Sequence, residues 1–291
     1  MVLKHIFQRT LANNLYNFWL QFMAWYRYIL PSSTSTKSYP PSNYNLVFED
    51  YFNQDRIDSN EWRLGQPWGQ FHADQLYWYW PKGISCAKTS NDGLNLKLSF
   101  SPKVFVKNEL PKWKQIDSLP EEWTSTWAAG LISSKKAYKF GWFEAEIMLP
   151  TDFMQWSAFW LSGEDSWPPE IDIFEAYSKQ DLSTIEIKPN IHWGNAGSWR
   201  EGKKDYGAPR IYVKNPNERF VHYACHWTED FIRIYYDGYL VQECTNKEML
   251  KQNAKNQYII LNHGLKNSKE TKPLGSNMIV RNLKVYQNAS K

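Results

Sequence analysis

From Tyr44 onward no stretch keeps a 3.6-residue apolar period, and short runs of period two take its place. Leu94-Asn95-Leu96-Lys97-Leu98 follows the turn signal Asn91-Asp92-Gly93. Phe143, Ala145, Ile147 and Leu149 alternate with Trp142, Glu144, Glu146 and Met148, and Pro150 ends the run. Phe231 to Tyr236, Asp237-Gly238, then Tyr239 to Val241 read as a hairpin with a tight primed turn. A chain of 291 residues patterned this way is long enough for one large all-β domain and short for two. A sandwich of two antiparallel sheets is the natural way to bury these faces.

Residues 1–30 stand apart. The apolar run from Leu15 to Trp25 follows Lys4 and Arg9, but Asn17, Gln21 and Arg27 interrupt it and no small-residue cleavage pattern appears. It is also shorter and more polar than a span of ~20 apolar residues. The expected organisation is a helical segment over 1–30 that touches a membrane surface, the domain or a partner. A Ser/Thr/Pro-rich linker over 31–43 and a β domain over 44–288 follow.

The net charge of +4 is small for this length, and Lys and Arg are spread along the chain, which gives no electrostatic case for nucleic acid. Three cysteines make no disulfide framework and no zinc spacing. Cys225 and Cys244 fall on neighbouring expected strands, so either a bridge or two buried thiols fits. The unusual quantity is the aromatic share, 17% with 16 Trp. Aromatic faces make good platforms for sugar rings, although a core rich in indoles is the plainer reading.

The acidic stretch Glu170-Ile171-Asp172-Ile173-Phe174-Glu175 decides between these. As a strand it puts Glu170 and Asp172 on one face with Ile171 and Ile173 on the other. Strict alternation would send Glu175 into the core and Phe174 out beside the acids. A one-residue bulge near Ile173-Phe174 repairs both faults. Three carboxylates on one face repel one another, so a purely structural strand has little reason to collect them. Glycoside hydrolysis has one: it needs an ionised carboxylate and a protonated carboxyl, roughly 5–5.5 Å apart in retaining enzymes. Across a bulge the two Glu α-carbons lie roughly 13 Å apart, so the side chains converge only on a concave sheet.

The order of motifs resembles glycoside hydrolase family 16, in its bulged branch of laminarinase-, agarase- and carrageenase-like enzymes. Val47-Phe48-Glu49-Asp50-Tyr51-Phe52 with Trp62, then Gly130 to Ser134, then Phe140 to Ala145, resemble successive family strands. Gln155 to Leu161, the acidic stretch, His192-Trp193-Gly194, Trp227-Thr228-Glu229 and Tyr236-Asp237-Gly238 follow in family order. The resemblance covers residues 46 to 287. It implies a jelly-roll sandwich with a concave substrate cleft, and a retaining, endo-acting hydrolase of a β-linked polysaccharide. β-1,3-Glucan is the first substrate class and a red-algal galactan the second.

By that resemblance Glu170 is the nucleophile, Asp172 its assistant and Glu175 the acid/base. Trp156 and Trp160 are sugar platforms and His192 a polar contact, with Trp142, Glu144, Trp68, His72 and Tyr77 as further cleft candidates. A polymeric substrate argues for work outside the cell or at its surface, and a monomer is expected. A transglycosylase using the same residues, or a non-catalytic carbohydrate-binding sandwich, are the alternatives. Two departures stand out. Arg281 occupies the place of an Asp that commonly helps hold a structural calcium, so no metal or other cofactor is expected. The insertion from Pro102 to Trp127, with Trp113 and Trp123, has no family counterpart and is expected to wall one end of the cleft.

Overall fold

The computed structural model describes residues 39–67, 77–79, 86–109, 120–151, 155–178, 185–194, 203–207, 211, 213, 215–265 and 275–289. The segment 1–30, most of the linker, and Trp68, His72 and Trp113 lie outside them. Among the described residues no helix is long and apolar enough to cross a membrane.

The strands, in chain order, are β1 (Tyr44–Asp50), β2 (Trp62–Leu64), β3 (Tyr77–Tyr79), β4 (Ala87–Ser90), β5 (Gly93–Leu96), β6 (Leu98–Val106), β7 (Glu122–Tyr138), β8 (Gly141–Met148) and β9 (Gln155–Gly163). They continue with β10 (Glu170–Ser178), β11 (Ile185–Gly194), β12 (Lys203–Asp205), β13 (Val221–Trp227), β14 (Ile232–Tyr236), β15 (Tyr239–Cys244), β16 (Gln257–Leu265) and β17 (Met278–Asn288). One short helix, α1 (Lys247–Asn253), is capped by the Asn246 side chain, which accepts from the Met249 N–H.

The strands form a jelly-roll sandwich. An eight-stranded sheet runs β15-β14-β13-β8-β17-β5-β4 with β1 on β17. A nine-stranded sheet runs β12-β11-β10-β9-β16-β7-β2, with β3 and β6 also on β7. Pairing is antiparallel throughout except between β3 and β7. The core lies between the sheets, where Phe143, Ile147, Phe159, Ile171, Phe174, Tyr223 and Ile234 are buried. The expected hairpin is β14–β15, with Asp237 and Gly238 both at positive φ as a type I′ turn requires. The Asp50 motif closes the first strand: its carboxylate accepts from the Phe52 N–H and the Trp62 indole N–H.

One expectation changes here. Cys225 on β13 and Cys244 on β15 are not on neighbouring strands, because β14 lies between, pairing Ile234 with Cys225 and Ile232 with Cys244. Both thiols are free and buried. The insertion, in turn, contributes strands: β6 pairs with the first half of β7, and Trp123 is buried and stacked on Phe105.

Candidate active site

The bulge falls where the acidic stretch requires it. Against β9 the register runs Asp172↔Trp160 and then Phe174↔Phe159, which leaves Ile173 extra. Against β11 it jumps from Asp172↔Asn190 to Glu175↔Lys188. Ile173 and Phe174 therefore both enter the core, and Glu170, Asp172 and Glu175 share the outer face of the nine-stranded sheet. Burying each apolar side chain is worth ~1.5–3 kcal/mol. Without the bulge a carboxylate would replace Phe174 inside, at a cost of several kcal/mol. The carbonyl that the bulge releases is not left bare: the Tyr236 hydroxyl reaches from the opposite sheet and donates to Ile173 O at 3.0 Å.

Each acid has a partner set by register. His192 lies directly across from Glu170 on β11. Its Nε2 is 3.2 Å from Glu170 Oε1 and 3.2 Å from Asp172 Oδ2, while Nδ1 meets the Asp205 carboxylate on β12. The Trp167 indole donates to Glu170 Oε2 at 2.8 Å. The Trp156 indole donates to Glu175 Oε1 at 3.1 Å, and the Trp160 indole donates to Asn262 Oδ1 at 2.7 Å. At the far end of β11, Gln252 of α1 accepts from the Gly194 N–H, which pins the strand that carries His192.

Burial, and next the Asp172 charge, push the Glu170 carboxyl up to about 8; His192 and the Trp167 hydrogen bond oppose this, and Glu175 adds a smaller rise. The ligand-type atoms of Glu170, Asp172 and His192 all lie within 4.8 Å of one another. The His192 Nε2 lies within ion-pair distance of an oxygen of each acid, 3.2 Å in both cases. Chemically, the arrangement offers a carboxylate with an assisting acid on one side and a second carboxyl, held by an indole, a bulge away.

Of the residues expected here, Glu170, Asp172, Glu175, Trp156, Trp160 and His192 come together on this face. Tyr77 lies on β3, in register with Trp127. Trp142 and Glu144 do not belong to the site. They sit on β8, in the other sheet, on its outward side, with the whole core between them and the acids. Trp142 is buried among Ala224, Tyr235, Tyr44 and Tyr286 and donates its N–H to Glu144 at 2.7 Å. Burial works to raise the Glu144 pKa, but hydrogen bonds from His222 and Trp142, with nearby positive charge, prevail and hold it below the usual value. Alternation places a residue on a face; it does not say which sheet the strand joins.

Sequence reasoning missed Trp167, Asn262 and Asp205. Trp167 was legible, three residues ahead of Glu170 and just outside the acidic stretch. Asp205 carries no local signal, because it meets His192 only through the β11–β12 pairing. Arg281, the departure in the closing strand, donates to Glu146 at 2.8 Å and lies over the Phe220 ring at 3.8 Å.

An all-β jelly roll with three clustered acids on an outer sheet face, flanked by indoles, has the build of a glycoside hydrolase. The model of the glycosyl hydrolases family 16 matches residues 72–274, and the chain belongs to that family. It is 26% identical over 228 residues to glucan endo-1,3-beta-glucosidase A1 of Niallia circulans, covering 73% of this chain and 31% of that protein. The chain thus spans about a third of that relative's length. The fold is similar to that of a gut-microbiota endo-acting O-glycanase, with TM-score 0.67, 20% identity, and coverage of 88% of this chain and 94% of the other. It is likewise similar to SCLam, a non-specific endo-β-1,3(4)-glucanase, with TM-score 0.65, 22% identity, and coverage of 87% and 94%. At these identities the structural likenesses bear on the fold alone.

Proposed function

We propose that this protein hydrolyses internal bonds of a β-1,3-glucan with retention of anomeric configuration. The observation that carries the reading is the bulged β10, which sets Glu170, Asp172 and Glu175 on one face with a partner for each. Glu170 attacks the anomeric carbon and forms a glycosyl–enzyme ester. Asp172 and His192 hold its oxygens, and Glu175 protonates the departing sugar oxygen and then activates water. Trp156 and Trp160 carry the rings of adjacent sugars. The β-1,3-glucan choice is supported by the names of the relatives, glucan endo-1,3-beta-glucosidase A1 among them. A polymeric substrate fits work outside the cell or at its surface. The reaction calls for no metal, since carboxylates supply both attack and proton transfer, and the Arg281–Glu146 pair is proposed to take the place of the family's structural ion.

The test is stereochemical. NMR of the first product from laminarin is expected to show the retained anomer, and inversion would remove Glu170 as nucleophile. Glu175→Ala is expected to lose about 10²–10⁴-fold on the natural polymer. With an activated leaving group it should still form the glycosyl–enzyme, and added azide should then speed turnover. The absence of an azide effect would remove Glu175 as acid/base. A panel of laminarin, lichenan, agarose and carrageenan, assayed for reducing ends, tests the substrate class.

A further inference from the structure

The aromatic surface of the acid-bearing face does not stop at Trp156 and Trp160. Both pack against a buried cluster on that face that includes Leu98, Trp127, Leu131 and Ile260. Beyond Gly130 the neighbour of β7 changes. Its pairing with β16 ends at His263↔Gly130, and β6 takes over from Leu98↔Ala129 to Val106↔Glu122. The Gly130 N–H, bonded to Lys97 O at 3.0 Å, marks the handover. A ribbon of β6 and β7, with β3 also paired to β7 from Trp127 to Ala129, thus continues from the end of the sheet.

On that ribbon Phe100 is the direct partner of Trp127, their rings edge to face at 5.4 Å. Directly opposed residues share a face, and Trp127 belongs to the cluster under Trp156 and Trp160, so Phe100 lies on the acid-bearing side. Trp127 is 3% exposed, whereas Phe100 is 65% exposed. A ring braced by a buried indole and turned to water has little to do for the core. From Glu175 it is two strands across and four residues along, roughly 16 Å at ~4.8 Å per strand and ~3.3 Å per residue. That is too far to touch the bond being cleaved and near enough to meet another unit of the same chain. On the same side Lys103 pairs with Ser125, two residues from Trp127, and its ammonium lies over the Phe105 ring, which gives this surface a polar group that suits a sugar better than an apolar protein surface.

We propose that Phe100, held by Trp127, is a distal platform for a sugar ring of the bound polysaccharide and gives the protein its grip on long chains. The assignment rests on the hydrolase reading above. Phe100→Ala, in the full chain, is expected to raise KM about three- to tenfold for whichever polymer of the panel the wild type cleaves. It should leave kcat and the turnover of short oligosaccharides unchanged, and Phe100→Trp should retain the wild-type KM. In a Glu170→Gln background, adding Phe100→Ala should reduce retardation in a polymer-containing gel. A polymer KM that does not move, or equal losses on long and short substrates, overturns the platform while the hydrolase reading stands. A wild type that neither cleaves nor binds any polymer overturns both.

Discussion

Because burial and Asp172 raise the Glu170 pKa to about 8, the ionised form that the proposed nucleophile needs is the one this environment disfavours. An acid whose folded pKa exceeds its unfolded value, about 4.3, adds stability only while protonated. That contribution is complete below the unfolded value and is lost as pH rises through about 8. Glu170→Gln should therefore abolish turnover and yet melt at a higher temperature than wild type. The gap should open between these two pH values and hold steady above them; calorimetry showing a gap that closes with rising pH would contradict this. His192 pulls the other way, and Asp205 accepts its Nδ1 proton. Asp205→Asn removes the carboxylate that holds the His192 ring against Glu170, so the acid limb of kcat/KM should move to higher pH. A hydrogen bond to a charged group is worth ~1.5–3 kcal/mol. Asp205 is half-exposed, which screens it, so the shift should be about half to one unit. An unchanged limb would make Asp205 merely structural.

At the scale of the strand, β10 was legible almost in full. Ile171, Asp172, Ile173, Phe174 and Glu175 cannot alternate without fault, and the fault itself locates the bulge. What the strand alone could not show is how the bulge is held. The Ile173 carbonyl is bonded by Tyr236, whose place immediately before the hairpin turn gives no sign of that reach. Tyr236→Phe leaves the carbonyl buried without a donor, which should cost about 1–3 kcal/mol in chemical denaturation and lower kcat with it. A stability loss without any kcat change would show that the bulge holds itself. The strand β8 teaches the opposite lesson. Its alternation of Trp142 and Glu144 with Phe143 and Ala145 was read correctly as a strand, and its outward residues were still assigned to the wrong sheet.

For the whole molecule, composition and turn signals were enough for an all-β sandwich, because among the described residues no helix is longer than the seven residues of α1. Sheet membership was not available in the same way. It depends on strands far apart in sequence, such as β9 beside β16 and β8 beside β17, and no local pattern encodes that choice. The same gap hid Asp205 and misplaced Glu144, since both owe their neighbours to long-range pairing. Cys225 and Cys244 were separated for this reason too: a strand intervenes that adjacency in sequence does not count.

Trp156 presents an indole that does two jobs at once, because the ring on the acid-bearing face also supplies the N–H that holds Glu175. Phe or Tyr there would keep a flat surface and lose the bond, and Gln or Asn would do the reverse. A library screened for new carbohydrate preference should therefore return Trp156 unchanged while it tolerates variety at Trp160, whose N–H goes to Asn262 and not to an acid. Under the proposed mechanism, selectivity in this scaffold is free to drift outward from the scissile bond, along the ribbon, and is anchored where recognition and proton delivery share one side chain.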